Sequence, residues 1–318
     1  MDRPTFRAGI ELYGGVMRYA EIEVGPRGPN GGAPPRRLVR LGACDFDFDV
    51  AEALLSLVGP MHLDTVTTAV REIFDGSEAE VLRAVVHPWN CTSFFSPLPA
   101  GMPPSERFEQ LRQEAAMLSD ASVARPVRVK ATPVRIEALP DGRETHWHHV
   151  LRLPDAVHAR VEHVARDFSA ASEEGARAHE FVDSTGAAAA VVGHFLRNHT
   201  EAEPAFALAL GVYGDRTEYA LCRGETWHFG HHAEAGALED GAYFGAVLLD
   251  RLGVAPDDVQ HLFLYGDDAD PATLSGVEDL LGIEAQALNP LAVFRQAHGG
   301  SDPFALAAYA PVIGSLLR

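Results

Sequence analysis

The side chains able to do chemistry in this 318-residue chain are few and specific: fifteen histidines, three cysteines and a single lysine. His146-Trp147-His148-His149 would set His146 and His148 on one face of a strand, a spacing that metal ligands can use. His228, His231 and His232 form a second group. Neither group has an acid or cysteine at a fixed spacing, so exposed strand and loop histidines are the simpler account. Asp183-Ser184-Thr185 and Thr67-Thr68 offer hydroxyls, but an Asp-Ser pair ahead of an apolar run reads first as a helix N-terminal cap. The sequence contains no Gly-x-Ser-x-Gly elbow and no His-Glu-x-x-His helix. With Lys130 as the sole lysine, a P-loop or Schiff base elsewhere is excluded. Cys44, Cys91 and Cys222 are far apart, form no Cys-x-x-Cys pair, and read as small buried hydrophobes of a reducing compartment.

Positioning any of these groups needs a core, and the composition supplies one: 47% hydrophobic and 22% charged residues. Lys+Arg number 26 against 45 Asp+Glu, a formal charge of −19. That balance excludes nucleic acid as the main partner and disfavours anionic membrane surfaces. The opening MDRPTFRAGIELYGG has no apolar signal region, and the small-apolar run Gly186 to Gly193 is too short to span a bilayer. A cytoplasmic protein without direct membrane insertion is expected.

The patterning predicts strands over 6–12 and 16–24 around the tight turn Tyr13-Gly14-Gly15, a disordered Gly/Pro-rich tip over 25–37, and a third strand over 38–43. Helices follow over 49–58 and 62–74, a strand over 81–86, and a short strand at Phe94-Phe95 ending before Pro97. A helix opens at Pro104, then strands over 127–138 and 144–151, a helix to about Phe168, a strand near 179–183 and a helix over 184–198. After residue 204 the opening pattern returns: a strand, a glycine turn and a hairpin. Then come helix 238–252, strand 261–265, helix 273–281, strand 284–287 and a final helix over 304–317. Strands and helices in a doubled order imply an α/β protein of two related halves with a ligand cleft between them.

The segment Gly9-Ile10-Glu11-Leu12-Tyr13-Gly14-Gly15-Val16-Met17-Arg18 resembles the opening of PilM-type actin-like proteins, the ATP-binding components of type IV pilus machines and relatives of FtsA. The resemblance extends through Val85-Val86-His87-Pro88, Phe94 to Pro99, Phe108 to Ala116, Phe181-Val182-Asp183, Leu262 to Gly266, Leu288-Asn289-Pro290-Leu291 and Pro311 to Leu317. It implies duplicated actin-like (ribonuclease H-like) domains with an FtsA/PilM-type insertion. The boundaries that follow are a first domain over 1–87 and 169–203, an inserted subdomain over 88–168, a second domain over 204–303, and a C-terminal helix, 304–318, returning to the first.

In such a fold two hairpin turns present backbone N–H groups to nucleotide phosphates, flanking carboxylates hold Mg²⁺, and a glycine turn packs on the nucleoside. Carried onto this sequence, the cofactor-binding positions are Glu11, Tyr13, Gly14, Gly15, Gly211, Tyr213, Gly214, Asp215, Thr217, Gly266 and Asp267, with Glu11 and Asp215 as metal candidates. Each element departs from the family pattern. Glu11 replaces a shorter acid, Tyr13 and Tyr213 replace glycines, Gly211 replaces an acid, and Asp267 replaces a glycine. Two phenols in a phosphate cleft occupy ligand space unless they point away, which favours a lost or altered ATP–Mg²⁺ site and no catalytic residue. The implied role is a scaffold binding the cytoplasmic N-terminal tail of a membrane-anchored pilus or secretion component, recruited by it to the inner membrane, with self-association open. An active Mg-ATP switch built on the same residues is the alternative.

Overall fold

The computed structural model describes residues 3–26, 34–56, 61–118, 126–166, 168, 178–197, 205–214, 216–234, 238–270, 272, 278, 279, 281–294 and 302–318. The first half opens with β1 (Thr5–Tyr13), β2 (Val16–Val24), β3 (Arg36–Asp45), α1 (Val50–Leu55), α2 (Leu63–Ile73) and β4 (Val81–Val86). Next come β5 (Thr92–Pro99), α3 (Pro104–Met117), β6 (Val127–Ala138), β7 (Glu144–Pro154) and α4 (Asp155–Arg166), then β8 (Ala178–Asp183) and α5 (Ser184–Arg197). The second half holds β9 (Phe206–Tyr213), β10 (Arg216–Arg223), β11 (Thr226–Glu234), α6 (Leu238–Arg251), β12 (Val259–Tyr265), β13 (Ala285–Ala287), α7 (Pro303–Ala307) and α8 (Ala310–Leu317).

Two five-stranded sheets share one topology. The orders are β3-β2-β1-β4-β8 and β11-β10-β9-β12-β13, each an antiparallel meander followed by two parallel strands. Each meander begins with a two-residue hairpin. Tyr13 faces Val16 in one and Tyr213 faces Arg216 in the other, with Gly14 and Gly214 at φ of 53° and 54°. Both turns need the left-handed backbone that glycine adopts without a side-chain clash. Tyr13 and Tyr213 therefore stand at equivalent positions of the two halves.

Between the sheets lie α5 and α8, apolar on nearly every side and buried, as a helix enclosed by two layers must be. They touch backbone to backbone: a Cβ on Gly314 would sit 2.0 Å from the Ala187 carbonyl oxygen. The expected single helix over 304–317 is broken into α7 and α8. Pro311 has no N–H for the Ala307 carbonyl, and its ring would clash with that carbonyl in a continuous helix. The strand at Phe94-Phe95 does not stop at Pro97 but runs to Pro99. It is an edge strand of the third sheet, β5-β7-β6, where prolines cost no ladder bond. Most of the expected tip over 25–37 and of the expected helix over 273–281 lie outside the described residues.

Leu111 and Ala115 of α3 cover the third sheet at Leu98 and Val150, whereas Val157, Val161 and Val164 of α4 pack into the core of the first sheet. The third sheet also leans on the second half. Phe95 lies 4.9 Å from the Trp227 ring and 5.0 Å from Phe229, and the Arg135 guanidinium donates to the His228 carbonyl.

Candidate functional site

The cleft between the halves is lined by the ends of β1, β4, β9, β10 and β12, and its floor is ionisable. Glu11 on β1 and Arg18 on β2 are cross-strand partners; in the second half the equivalent pair is Gly211 and Glu218. The acid of the second half thus stands on β10 rather than β9, across the ladder from the glycine and on the same face of the sheet.

Glu11, His87 and Glu218 are completely buried and form a chain across the halves. His87 Nδ1 lies 2.8 Å from Glu218 Oε1, and His87 Nε2 is 3.5 Å from Glu11 Oε1. Ser184 Oγ donates to Glu218 Oε1 at 2.6 Å, and the Tyr265 hydroxyl donates to Glu218 Oε2 at 2.9 Å. Glu218 thus meets three polar groups, each from a different part of the chain. Burial pushes the Glu11 carboxyl up to about 7 despite the opposing charges of Arg18 and His87. Burial alone would lower the pKa of His87, but the carboxylates of Glu218 and Glu11 hold it above the ordinary imidazole value.

Aromatic rings close the space above this floor. The Tyr13 and Tyr213 centroids are 4.9 Å apart, His87 stacks on Trp89 at 4.5 Å, and Tyr213 sits edge-on to His87 at 4.8 Å. The Tyr213 hydroxyl is 3.4 Å from Glu11 Oε1, and a Cβ on Gly214 would lie 3.2 Å from the Tyr13 hydroxyl. Both phenols therefore point into the cleft. Tyr265 does the same from below: a Cβ on Gly211 would meet its ring carbon Cζ at 2.5 Å and its hydroxyl at 2.8 Å. No acid fits at 211 while that ring is in place.

Two donors that could meet a phosphate are engaged by the protein itself. The Gly214 N–H donates to the Asp268 carboxylate, and Arg18 pairs with Asp267. Gly266 has φ of 98°, and any Cβ there would lie 2.5 Å from the Val212 carbonyl oxygen, so this turn presses directly on β9. The Gly15 carbonyl accepts from Phe46 N at 2.8 Å and the Gly14 carbonyl from Val50 N at 2.7 Å, fastening the first turn to α1. Asp215 lies outside the described residues. Thr217 is not in the cleft: strand alternation turns it to the opposite face, where its hydroxyl would lie 2.7 Å from a Cβ on Gly241 of α6. The structure thus brings together Glu11, Tyr13, Gly211, Tyr213, Gly214 and Gly266, with Asp267 at the rim beside Arg18.

The residues present do not fit Mg-ATP. A hydrated Mg²⁺ needs room for several waters around its carboxylates, and Glu11 has no exposed surface beneath two rings. Among the described residues there is no group of three or more His, Cys, Asp or Glu side chains able to hold a metal ion. His146 and His148, offered as a strand-face pair, are joined through a contact of His148 Nδ1 with the His146 carbonyl at 3.1 Å. Sequence reasoning missed His87, Glu218 and Tyr265. The signals present were a histidine directly after a β-branched strand and a glutamate in the buried phase of an otherwise apolar hairpin.

At the start of α5 the expected cap is made. Asp183 Oδ1 accepts from Thr185 N at 3.0 Å, Thr185 Oγ1 at 2.5 Å and Gly186 N at 3.2 Å. His149 Nε2 lies 3.6 Å from its other oxygen, and burial lowers the pKa of His149 to about 4. Between the third sheet and β8 lies a cavity of about 200 Å³, lined by Arg83, Lys130, Thr132, His149, Leu151 and Asp183 among others. Among the described residues no helix is long and apolar enough to cross a membrane.

No protein-family model matches the chain, and no curated protein matches it. Among solved structures it is similar to a chain of the PilM–PilN type IV pilus biogenesis complex, at 15% identity and a TM-score of 0.70 over 98% of each chain. It is also similar to a protein of actin-like ATPase fold and unknown function from Bacteroides thetaiotaomicron, at 10% identity and a TM-score of 0.49 over 90% of this chain and 91% of that one. The ethanolamine utilization protein EutJ from Carboxydothermus hydrogenoformans gives 10% identity and a TM-score of 0.48 over 99% of this chain and 90% of that one. The doubled sheet topology and the first of these similarities together show that the chain has an actin-like fold of the kind found in the PilM–PilN complex.

Proposed function

We propose that the protein is a non-catalytic actin-like scaffold of a type IV pilus or related secretion machine, working in the cytoplasm and held at the inner membrane by a membrane-anchored partner. The observation that carries this is the filled cleft. Tyr13 and Tyr213 meet at 4.9 Å across the place where a nucleotide's phosphates would lie, over a Glu11–His87–Glu218 chain with no exposed surface. The likeness in fold to a chain of the PilM–PilN complex supports the setting in a machine. The partner's cytoplasmic N-terminal tail is the ligand, and the cavity between the third sheet and β8 is its docking place. Leu151 offers an apolar wall there, and Lys130 and Arg83, both bonded to Glu180, form a polar rim.

Two measurements test this. Thermal unfolding is followed with Mg-ATP, with Mg-ADP and without nucleotide; the expected result is no shift, and a clear rise in midpoint revives the Mg-ATP switch. In parallel, the protein is used to capture the N-terminal tail of the membrane-anchored pilus or secretion component of its own organism. Retention that is weakened in Lys130→Gln, a change on the polar rim that leaves the core untouched, is the expected result, and no retention by the unaltered protein removes the scaffold's partner.

A further inference from the structure

Resting on the reading that the cleft takes no nucleotide, we propose that the cleft is self-liganded: Asp267 and Asp268, in the turn after β12, occupy the cation and the backbone donor that an anionic ligand would otherwise take. Three observations converge. Arg18 reaches from β2 of the first half and is bonded to the Asp267 carboxylate of the second. The Gly214 N–H, at the tip of the β9–β10 turn, donates to Asp268 Oδ2, while Asp268 N returns a bond to the Val212 carbonyl at 3.2 Å. Arg18 is 7% exposed, and its second terminal nitrogen, Nη1, is buried with no hydrogen-bond partner among the described residues.

A glycine-turn N–H and a buried guanidinium, met here by two adjacent carboxylates, are the donors that an anion site uses. Here that site contains two carboxylates delivered by the protein's own chain, on a turn fixed against β9 by Gly266. A tethered acid acts at high effective concentration, so a free anion of similar chemistry competes poorly. The contact also joins the halves, since Arg18 lies on β2 of the first sheet and Asp267 in the turn that follows β12 of the second. The class of ligand excluded is a small polyanion, for which pyrophosphate is the probe.

Asp267 is half-buried and Asp268 exposed, so truncating them leaves the core intact. The test compares the thermal midpoint of the full chain and of Asp267→Ala/Asp268→Ala, each with sodium pyrophosphate and with sodium chloride at matched ionic strength. The expected result is no pyrophosphate effect on the unaltered protein, a lowered midpoint in the double variant, and recovery of roughly 2 °C or more on adding pyrophosphate. Adding Arg18→Gln to the double variant should abolish the recovery. A double variant that gains no response to pyrophosphate, or one whose response survives Arg18→Gln, overturns the proposal. The milder Asp267→Asn keeps the test available if the double variant is poorly folded, with the same expected direction. A shift of the unaltered protein by Mg-ATP would instead overturn the reading of the cleft as nucleotide-free, and is separately visible.

Discussion

Replacing Gly211 by alanine should destabilise the protein, although a general rule says the opposite. Glycine inside a strand costs about 0.5–1 kcal/mol relative to alanine, so the substitution on its own merits should be a gain. The local geometry reverses the sign. The new methyl would lie 2.5 Å from Tyr265 Cζ, 2.7 Å from Cε2 and 2.8 Å from the hydroxyl, all inside any real contact distance. The ring cannot retreat, because it is completely buried and its hydroxyl donates to Glu218 at 2.9 Å. Overpacking of this kind costs roughly 1–3 kcal/mol, enough to outweigh the backbone gain. Equilibrium urea unfolding measures the change. Tyr265→Leu removes the offending ring atoms, so the alanine should cost at least about 1 kcal/mol less in that background. Tyr265→Phe keeps Cζ and should give no such relief, while losing about 1.5–3 kcal/mol from the bond to Glu218. If Gly211→Ala proves neutral or stabilising in the otherwise unaltered protein, the ring does not occupy that space and the account of the missing acid is wrong.

Other consequences can be measured with the same equipment. Tyr213→Ala empties a fully buried aromatic site and should cost about 3–5 kcal/mol in urea unfolding, with Mg-ATP giving no rescue because Tyr13 and His87 remain. Asp183→Ala removes the acceptor for three donors at the start of α5 and should cost about 2 kcal/mol, with amide exchange quickening first over 185–189. His149 is held neutral in the folded protein with its pKa lowered to about 4, whereas the unfolded chain protonates it near 6.5. Its contribution is therefore present above the unfolded value and lost as pH falls from 6.5 towards 4, about 3 kcal/mol in all. His149→Gln should flatten that part of the stability–pH curve, and an unchanged slope would assign it to other groups.

Much of the architecture was legible because it rests on local rules. The Tyr13-Gly14-Gly15 turn, the β-branched run over 81–86 and the Asp183 cap were all readable from neighbouring residues. The breaks in the reading come from which edge or face of a sheet a residue occupies. Prolines at 97 and 99 looked like a strand end, and only the sheet order shows that they lie on an edge where a missing N–H costs nothing. Thr217 looked like a phosphate ligand by position along the chain, yet strand alternation sends it to α6 and sends Glu218 to the cleft. Linear motifs fix an order of residues, not a face, and a single step changes the face.

The second-half acid shows why the centre of the site was the least legible part. Reading along β9, Gly211 looks like a lost carboxylate. Reading across the ladder, the carboxylate stands opposite it at Glu218, on the same face. Cross-strand neighbours approach within side-chain reach, so a charge can change strands while staying near the same point in space. Its partners changed with it. On β10 the acid meets His87, Ser184 and Tyr265, three donors from three elements, and the space above Gly211 passes to the Tyr265 ring. The acid, the glycine and the tyrosine form one coupled arrangement. Restoring an acid at 211 alone would therefore add a clash and a buried like charge beside Glu218, without restoring a metal site. Even a variant that changes 211, 218 and 265 together would leave Tyr13 and Tyr213 facing each other at 4.9 Å across the cleft.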